Sequence, residues 1–498
     1  MSEVNVGGIE IVDFTILGSA GAKKLNINDI VLEFNIYENI EQPFMSADFV
    51  VNDSLSLTTR MPIVGQELIQ VEFRVPVIGM KEKPFKKIFR IFSIKNFDVN
   101  KKQRNSKYIL RCYEPAYFRN LTTKVQKSYA NMNVSEMVEK LSKDYLGLKT
   151  SEIKTEKTDG KLTLVVPNLH PDEAIISLMS RYARSEKYGD VSNYYFYSHQ
   201  GGYKFTTLEN LMDYKTRQSE SKDFHIDTLT LKDKNLPNQF TTNSETTPNV
   251  GKTENTPTSV EGVTTNTSQR KPESFLRIND IKIVNKMNIE DGLKNGMFDN
   301  TVMWINPSLS LFEKKVYKYT DDFKKFKVLC ENVGFKVIDD EMDTTKEFKN
   351  LKGKSKEFYI ITNKGDRTNQ VSEDKRYTFL NYNKASENMM NSIIINLTVP
   401  GDNTRTIGDI INLKIPEFGA TDDIMGELDK FISGYYLVTA VRHIHSVDQG
   451  YSCILRCMKN CFDSSIQDRL TEIFDGKSAT VERLPNEPEP RQIIESAA

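Results

Sequence analysis

Two six-residue words, NDSLSL at 52–57 and NPSLSL at 306–311, agree at five of six positions. One coincidence of that length constrains little, but a duplicated unit must repeat its words in order and at similar spacing. INDI occurs at 27–30 and again at 278–281, ILRC at 109–112 and again at 454–457, and IVGQELIQVEF (63–73) resembles TIGDIINLKIP (406–416). The spacing from Ile30 to Asn52 is close to that from Ile281 to Asn306, and the spacing from Gly65 to Ile109 is close to that from Gly408 to Ile454. Only the middle gap differs. Leu57 and Gly65 are near one another in the chain, whereas Leu311 and Gly408 lie far apart, which one insertion near 320–390 in the second copy explains. The chain reads as two copies of one β-rich unit.

The local pattern agrees with that reading. IEIVDFTIL (9–17), IVLEFNIYE (30–38), SADFVVND (46–53), ELIQVEFRV (67–75), KIFRIFSIKNFDV (87–99) and SKYILRCYE (106–114) are rich in Val, Ile, Phe and Tyr, and several alternate apolar with polar as half-buried strands do. NKKQRN (100–105) supplies a hairpin turn, and strands at this spacing predict a small antiparallel barrel or sandwich over 1–115. Residues 116–236 change character. NVSEMVEKLSKDYLG (133–147) predicts a helix with Asn133 as N-cap, Glu136 three residues on, Val134, Met137, Val138, Leu141 and Tyr145 on one face, and Gly147 at its end. HPDEAIISLMSRYAR (170–184) predicts another, with Pro171, Asp172 and Glu173 in its first turn. The aromatic hairpin NYYFYSHQGGYKF (193–205) completes an α+β domain.

Residues 237–274 are Thr-, Asn-, Ser- and Pro-rich with almost nothing to bury, and predict a solvated linker or loop. The second β unit is expected at 275–320 and 390–465, interrupted by an insertion at 321–389 that holds a strand, KEFYIITNK (356–364). A short helix, DSSIQDRLTEIF (463–474), and an extended tail fill 466–498. The expected fold class is therefore a β-rich α+β multidomain protein with internal duplication, an α+β domain and an insertion. Its 498 residues exceed what one core organises.

Little in the sequence points to chemistry. Lys and Arg number 67 against 68 Asp and Glu, a net charge of −1, which argues against a dedicated nucleic-acid binder. The sequence has no Walker loop, dinucleotide glycine fingerprint, G-x-S-x-G or H-E-x-x-H motif. It has no apolar run of membrane-spanning length, and MSEVNVGGIE has neither a basic nor an apolar leader region, so a cytoplasmic site of synthesis is expected. Cys453, Cys457 and Cys461 are spaced C-x₃-C-x₃-C, which matches no zinc pattern. Cys112 and Cys457 share one place in the two copies, as small buried core residues would.

His443 and His445 share a strand face, but two ligands do not make a metal site, and the simpler expectation is the solvent face of an edge strand. Asp321–Asp322, Asp339–Asp340 and Asp422–Asp423 read as solvated turn formers rather than a catalytic carboxylate pair. Arg111 and Arg456 recur at one place in both copies. Either they contact a partner or lumen as a ring, or they alternate outward from buried Leu110/Cys112 and Leu455/Cys457. No catalytic, cofactor-binding or metal-ligating residue is assigned, no cofactor is expected, and the chain is read as no enzyme.

Taken in order, several segments resemble one family. IYENIEQPFMSADFVVNDSLSL (36–57) resembles the opening of central baseplate hub proteins of contractile-tailed, T-even-like bacteriophages. NGMFDNTVMWINPSLSLFEKKVYKY (295–319) resembles the strand pair that opens that family's second barrel. NLTVPGDNTRTIGDIINLKIPE (396–417) and GYYLVTAVRHIHSVDQGYSCILRCMKN (434–460) resemble its close.

The resemblance implies two tube-type antiparallel β-barrels per chain and a homotrimer whose six barrels form a pseudo-six-fold ring. Such a hub adapts a six-fold tail tube to a three-fold central spike, and surrounds the channel for DNA and tape-measure protein during genome ejection. Implied partners are the spike, carried on a separate chain since nothing after 475 has the length for one, the tube or tube-initiator proteins and surrounding baseplate proteins, without membrane insertion. The implied location is the virion tail, with the host cytoplasm during tail assembly. Two alternatives stand beside it: the hub of a phage-like contractile injection system, and a tail-associated peptidoglycan hydrolase using dispersed carboxylates. A host-surface module built on the aromatic hairpin is a further one.

Overall fold

Strands dominate the computed structural model, which describes residues 9–18, 24–54, 56–60, 63–65, 67–76, 84–100, 105–189, 192–213, 222–225, 276–286, 290, 294–295, 300–306, 311–317, 329, 355–360, 377–391, 393–415, 429, 432–447 and 449–460. The 237–274 segment, most of 321–389, the three acidic pairs, the 463–474 helix and the 466–498 tail lie outside the described residues. Thirteen strands form one large sheet, labelled here in chain order. They are β1 (Glu10–Leu17), β2 (Lys24–Asn26), β3 (Val31–Asn39), β4 (Ser46–Asp53), β5 (Leu68–Arg74), β6 (Phe85–Asn100), β7 (Asn105–Tyr113), β8 (Lys222–His225), β9 (Asp280–Asn285), β10 (Ile393–Pro400), β11 (Ile410–Lys414), β12 (Gly434–Ser446) and β13 (Gly450–Lys459).

Their order is β9-β10-β13-β12-β3-β4-β7-β6-β5-β1-β2, with β11 beside β12 and β8 beside β11. Every pairing is antiparallel except β8 with β11. Adjacency in the first half runs β5-β6-β7-β4-β3, and in the second β11-β12-β13-β10-β9. The irregularities also correspond. Ile91 pairs with Cys112 and Ser93 with Arg111, leaving a bulge between; Val438 pairs with Cys457 and Ala440 with Arg456 in the same way. Gly65 and Gly408 precede β5 and β11 with φ of +88° and +85°, a region that side chains with a Cβ avoid.

Two repeated words do not mark corresponding places. Strands Asn300–Asn306 and Leu311–Tyr317, which hold the ends of NPSLSL, pair with each other and with Ser355–Ile360 in a separate three-stranded sheet. The strand in β4's position is β10, so in the large sheet the break in the second half runs from 286 to 392 rather than beginning near 320. INDI is out of step. Ile36 and Ile283 occupy corresponding places, because their partners Ala47 and Ile395 face Cys112 and Cys457.

The α+β region has a core of its own. Val134, Met137, Val138 and Leu141 are fully buried on helix Val134–Leu141, which continues through a wider turn to Leu146 and ends at left-handed Gly147. Asn133 precedes it with cap-like backbone angles, but its side chain makes no capping bond. Tyr194, Phe196, Tyr203 and Phe205 of the aromatic hairpin are buried in the same core, which removes them from any sugar-stacking surface. Glu114 joins this region to the first half: buried, it accepts from Lys87 Nζ (2.9 Å), Tyr203 Oη (2.7 Å) and the Met45 amide (3.3 Å).

A second core lies under the large sheet and belongs to both halves. Phe14, Phe34, Phe49, Phe73, Phe85 and Phe89 of the first half are fully buried in it. Tyr451 of β13 enters among them, with its ring 5.6 Å from Phe73 and 6.4 Å from Phe34. Gly401 makes that insertion possible, because a Cβ there would lie 2.0 Å from the Tyr451 ring. Phe34→Ala should therefore destabilise the fold by about 3–5 kcal/mol through the cavity it leaves. Amide exchange should quicken in β12 and β13 as well as in β3 and β4; exchange confined to the first half would mean that the cores are separate.

Candidate functional site: the polar face of the shared sheet

The period-two alternation of β3, β4, β7, β12 and β13 divides their side chains between two faces. Phe34, Ile36, Ala47, Phe49, Leu110, Cys112, Val441, Cys453, Leu455 and Cys457 point to the core. Burial holds the Cys112 and Cys457 thiols well above their ordinary range, so both are inert packing groups. Asn35, Tyr37, Asp48, Arg111, Tyr113, Arg442 and Arg456 occupy the opposite, polar face.

That face bears three arginines, each held differently. Arg111 stands directly opposite Asp48 and binds it at both ends, Nε to Oδ1 at 2.7 Å and Nη2 to Oδ2 at 2.6 Å. This hydrogen-bonded carboxylate raises the guanidinium pKa further, so its charge is permanent. Arg442 crosses between the halves: its Nε and Nη2 donate to Asn35 Oδ1 at 3.0 and 2.8 Å, and its guanidinium lies 5.5 Å from the centre of the Tyr37 ring. Arg456 lies one strand further on, opposite Ala440 and Asn396. All three line one cavity of about 720 Å³, open at one side and bordered by Tyr117 and Asp172 of the α+β region. The repeated words put Arg111 and Arg456 in equivalent places. They did not mark Arg442, although the alternation in VRHIH sets that residue opposite to its two histidines.

The seam between the halves runs beneath this face. β3 and β12 pair from Asn39–Ala440 to Glu33–Ser446, and the Ile40 amide donates to the Thr439 carbonyl at 2.9 Å. Glu38, 1% exposed, accepts from Thr406 Oγ1 (2.7 Å) and the Ile407 amide (3.1 Å), clasping the turn before β11. Burial raises the Glu38 pKa, chiefly by desolvation.

The histidines do not lie on an exposed edge. β12 is an interior strand between β13 and β3, so the face shared by His443 and His445 is the core face. His443 is fully buried, with Nδ1 2.8 Å from Tyr451 Oη and 3.3 Å from Cys453 Sγ. His445 stacks on Phe34 at 5.3 Å. Among the described residues, no group of three His, Cys, Asp or Glu is placed to hold a metal ion, and no helix is long and apolar enough to cross a membrane.

Burial pushes the His445 pKa down from 6.5 to about 4. Between those values the unfolded chain binds a proton that the folded chain does not, so acidification through this window favours unfolding. His445→Phe keeps the stacking and removes the titration. As the pH falls through that window, the parent should lose up to about 1.4 kcal/mol per pH unit more than this variant. Parallel denaturation curves at each pH would contradict the assignment.

No protein-family model matches the chain, and no curated protein matches it. Solved structures that resemble it include two tail proteins, one of them from a prophage, and a component of a secretion system. The tail protein from Neisseria meningitidis MC58 aligns over 91% of this chain and 97% of its own, at 12% identity and a TM-score of 0.49. The 43 kDa tail protein of prophage MuSo2 from Shewanella oneidensis aligns over 91% and 99%, at 9% identity and 0.46. The E. coli c3393 protein, a component of the type VI secretion system, aligns over 92% and 80%, at 8% identity and 0.39.

Proposed function

We propose that this chain is a structural protein of a phage tail, the central hub of its baseplate, in which three copies form a ring of six nearly equivalent units. The observation that carries the reading is the recurrence of β5-β6-β7-β4-β3 as β11-β12-β13-β10-β9, with the same bulge opposite Cys112 and Cys457. On this reading the halves are copies of one tube-type barrel, the first within 1–115 and the second built from 276–285 and 393–460. Residues 286–392 are then the insertion, and the α+β region at 116–236 stands outside the ring units except for β8, which pairs with β11 of the second.

A chain with two like units reconciles two symmetries. Three chains give an assembly that is three-fold in fact and close to six-fold in outline. One rim then matches a six-fold tail tube and the other a three-fold spike. The polar face with Arg111, Arg442 and Arg456 turns toward the channel through which tape-measure protein and DNA pass. Asp48 offsets Arg111 there, and a weakly charged wall lets a polyanion slide where a strongly basic one would retain it. The hub acts by geometry and catalyses nothing.

The native mass of the purified chain tests the reading. It should rise with concentration to three times the 57.1 kDa of a single chain. A stable dimer or tetramer would contradict it.

A further inference from the structure

The seam within the chain specifies a contact between chains. β12 pairs over 440–446 with β3. By strand order the counterpart of β12 is β6, and that of β3 is β9. Neither counterpart has the matching partner here: among the described residues, Ser93–Asn100 of β6 pairs only with β7, and β9 pairs only with β10. Both edges are exposed and bear apolar side chains, with Phe97 50%, Val99 55%, Ile283 41% and Val284 53% accessible. Uncovered strand edges of this kind invite pairing with another chain.

We propose that the 93–100 edge of β6 pairs antiparallel with β9 of a second copy of this chain, reproducing the β12–β3 seam. The inference rests on the two-unit reading above, and main-chain pairing alone sets its register. Ile94 faces Leu110 as Val441 faces Leu455, and Asp98 faces Lys107 as Ile444 faces Ser452; Asn96, at φ +51°, is the extra residue of the bulge between. Phe97 thus corresponds to His443, Asp98 to Ile444 and Val99 to His445. On the other strand, Ile36 corresponds to Ile283, Asn35 to Lys282 and Phe34 to Ile281.

The pairs His443–Ile36, Ile444–Asn35 and His445–Phe34 of the internal seam therefore become Phe97–Ile283, Asp98–Lys282 and Val99–Ile281 between chains. Apolar residues meet on the core side and opposite charges meet on the polar side. Neither complementarity entered the register. The contact joins two different surfaces, so it propagates from chain to chain and closes when the rotation per unit allows.

Directly opposed residues of an antiparallel pair have Cα atoms about 4.5–5.5 Å apart, within disulfide reach. Phe97→Cys combined with Ile283→Cys should cross-link under mild oxidation to a covalent species of three chains, while each single variant stays at the 57.1 kDa of one chain under denaturing conditions. Asp98→Lys should weaken association about fivefold per contact, and Asp98→Lys with Lys282→Asp should restore it. An intact trimer that does not cross-link would overturn the edge contact and leave the three-chain ring standing. Cross-linked ladders running past three chains would support the contact and overturn the closed ring. A monomer at every concentration, without cross-links, would overturn both.

Discussion

The antiparallel ladder between β3 and β12 is the interaction on which the rest of the molecule depends. Strand edges carry unpaired amides and carbonyls, and burying them without partners is costly. The chain answers this by making each half the partner of the other, so the polar groups of β3 and β12 satisfy one another from residue 33 to 39 and from 440 to 446. Once that ladder exists, the side chains beneath it must share a core. Tyr451 among the phenylalanines of the first half and His445 on Phe34 are consequences of it. The polar face is a consequence as well, since Arg111 and Arg442 come from different halves yet line one cavity.

Much of the strand content was legible because alternation is a strong signal, and ILRC marked corresponding residues in β7 and β13. Other words misled. INDI repeats out of step with the strands, and the end residues of NPSLSL, Asn306 and Leu311, pair in a sheet separate from the large one among the described residues. A short word in a strand records which face each residue takes; its partner strand is set by distant pairing that the word does not encode. The histidine pair shows the same limit. Their common face was readable from spacing, but its direction depended on β12 being interior, which only its two neighbours decide. Arg442 was overlooked for a related reason, because no repeated word covers it and a lysine, Lys95, fills the matching position in the other half.

The departures from equivalence are informative too. In the first half β1 lies antiparallel against β5, whereas in the second β8 lies parallel against β11. The helix Tyr377–Met390 and the α+β region meet at Ser386, whose hydroxyl donates to the buried Glu209 at 2.9 Å. Each half thus keeps the same five-strand adjacency and differs in what is packed around it. The ring proposed above would need such a division, with an inner surface repeated six times and an outer surface repeated three times.

Electron microscopy of the purified assembly, reconstructed without imposed symmetry, decides whether the proposed ring exists. The expected particle is a ring of six similar lobes around a channel, with alternate lobes differing at the periphery so that the true symmetry is three-fold. A two-fold particle, or a ring in which all six lobes are identical, would contradict it.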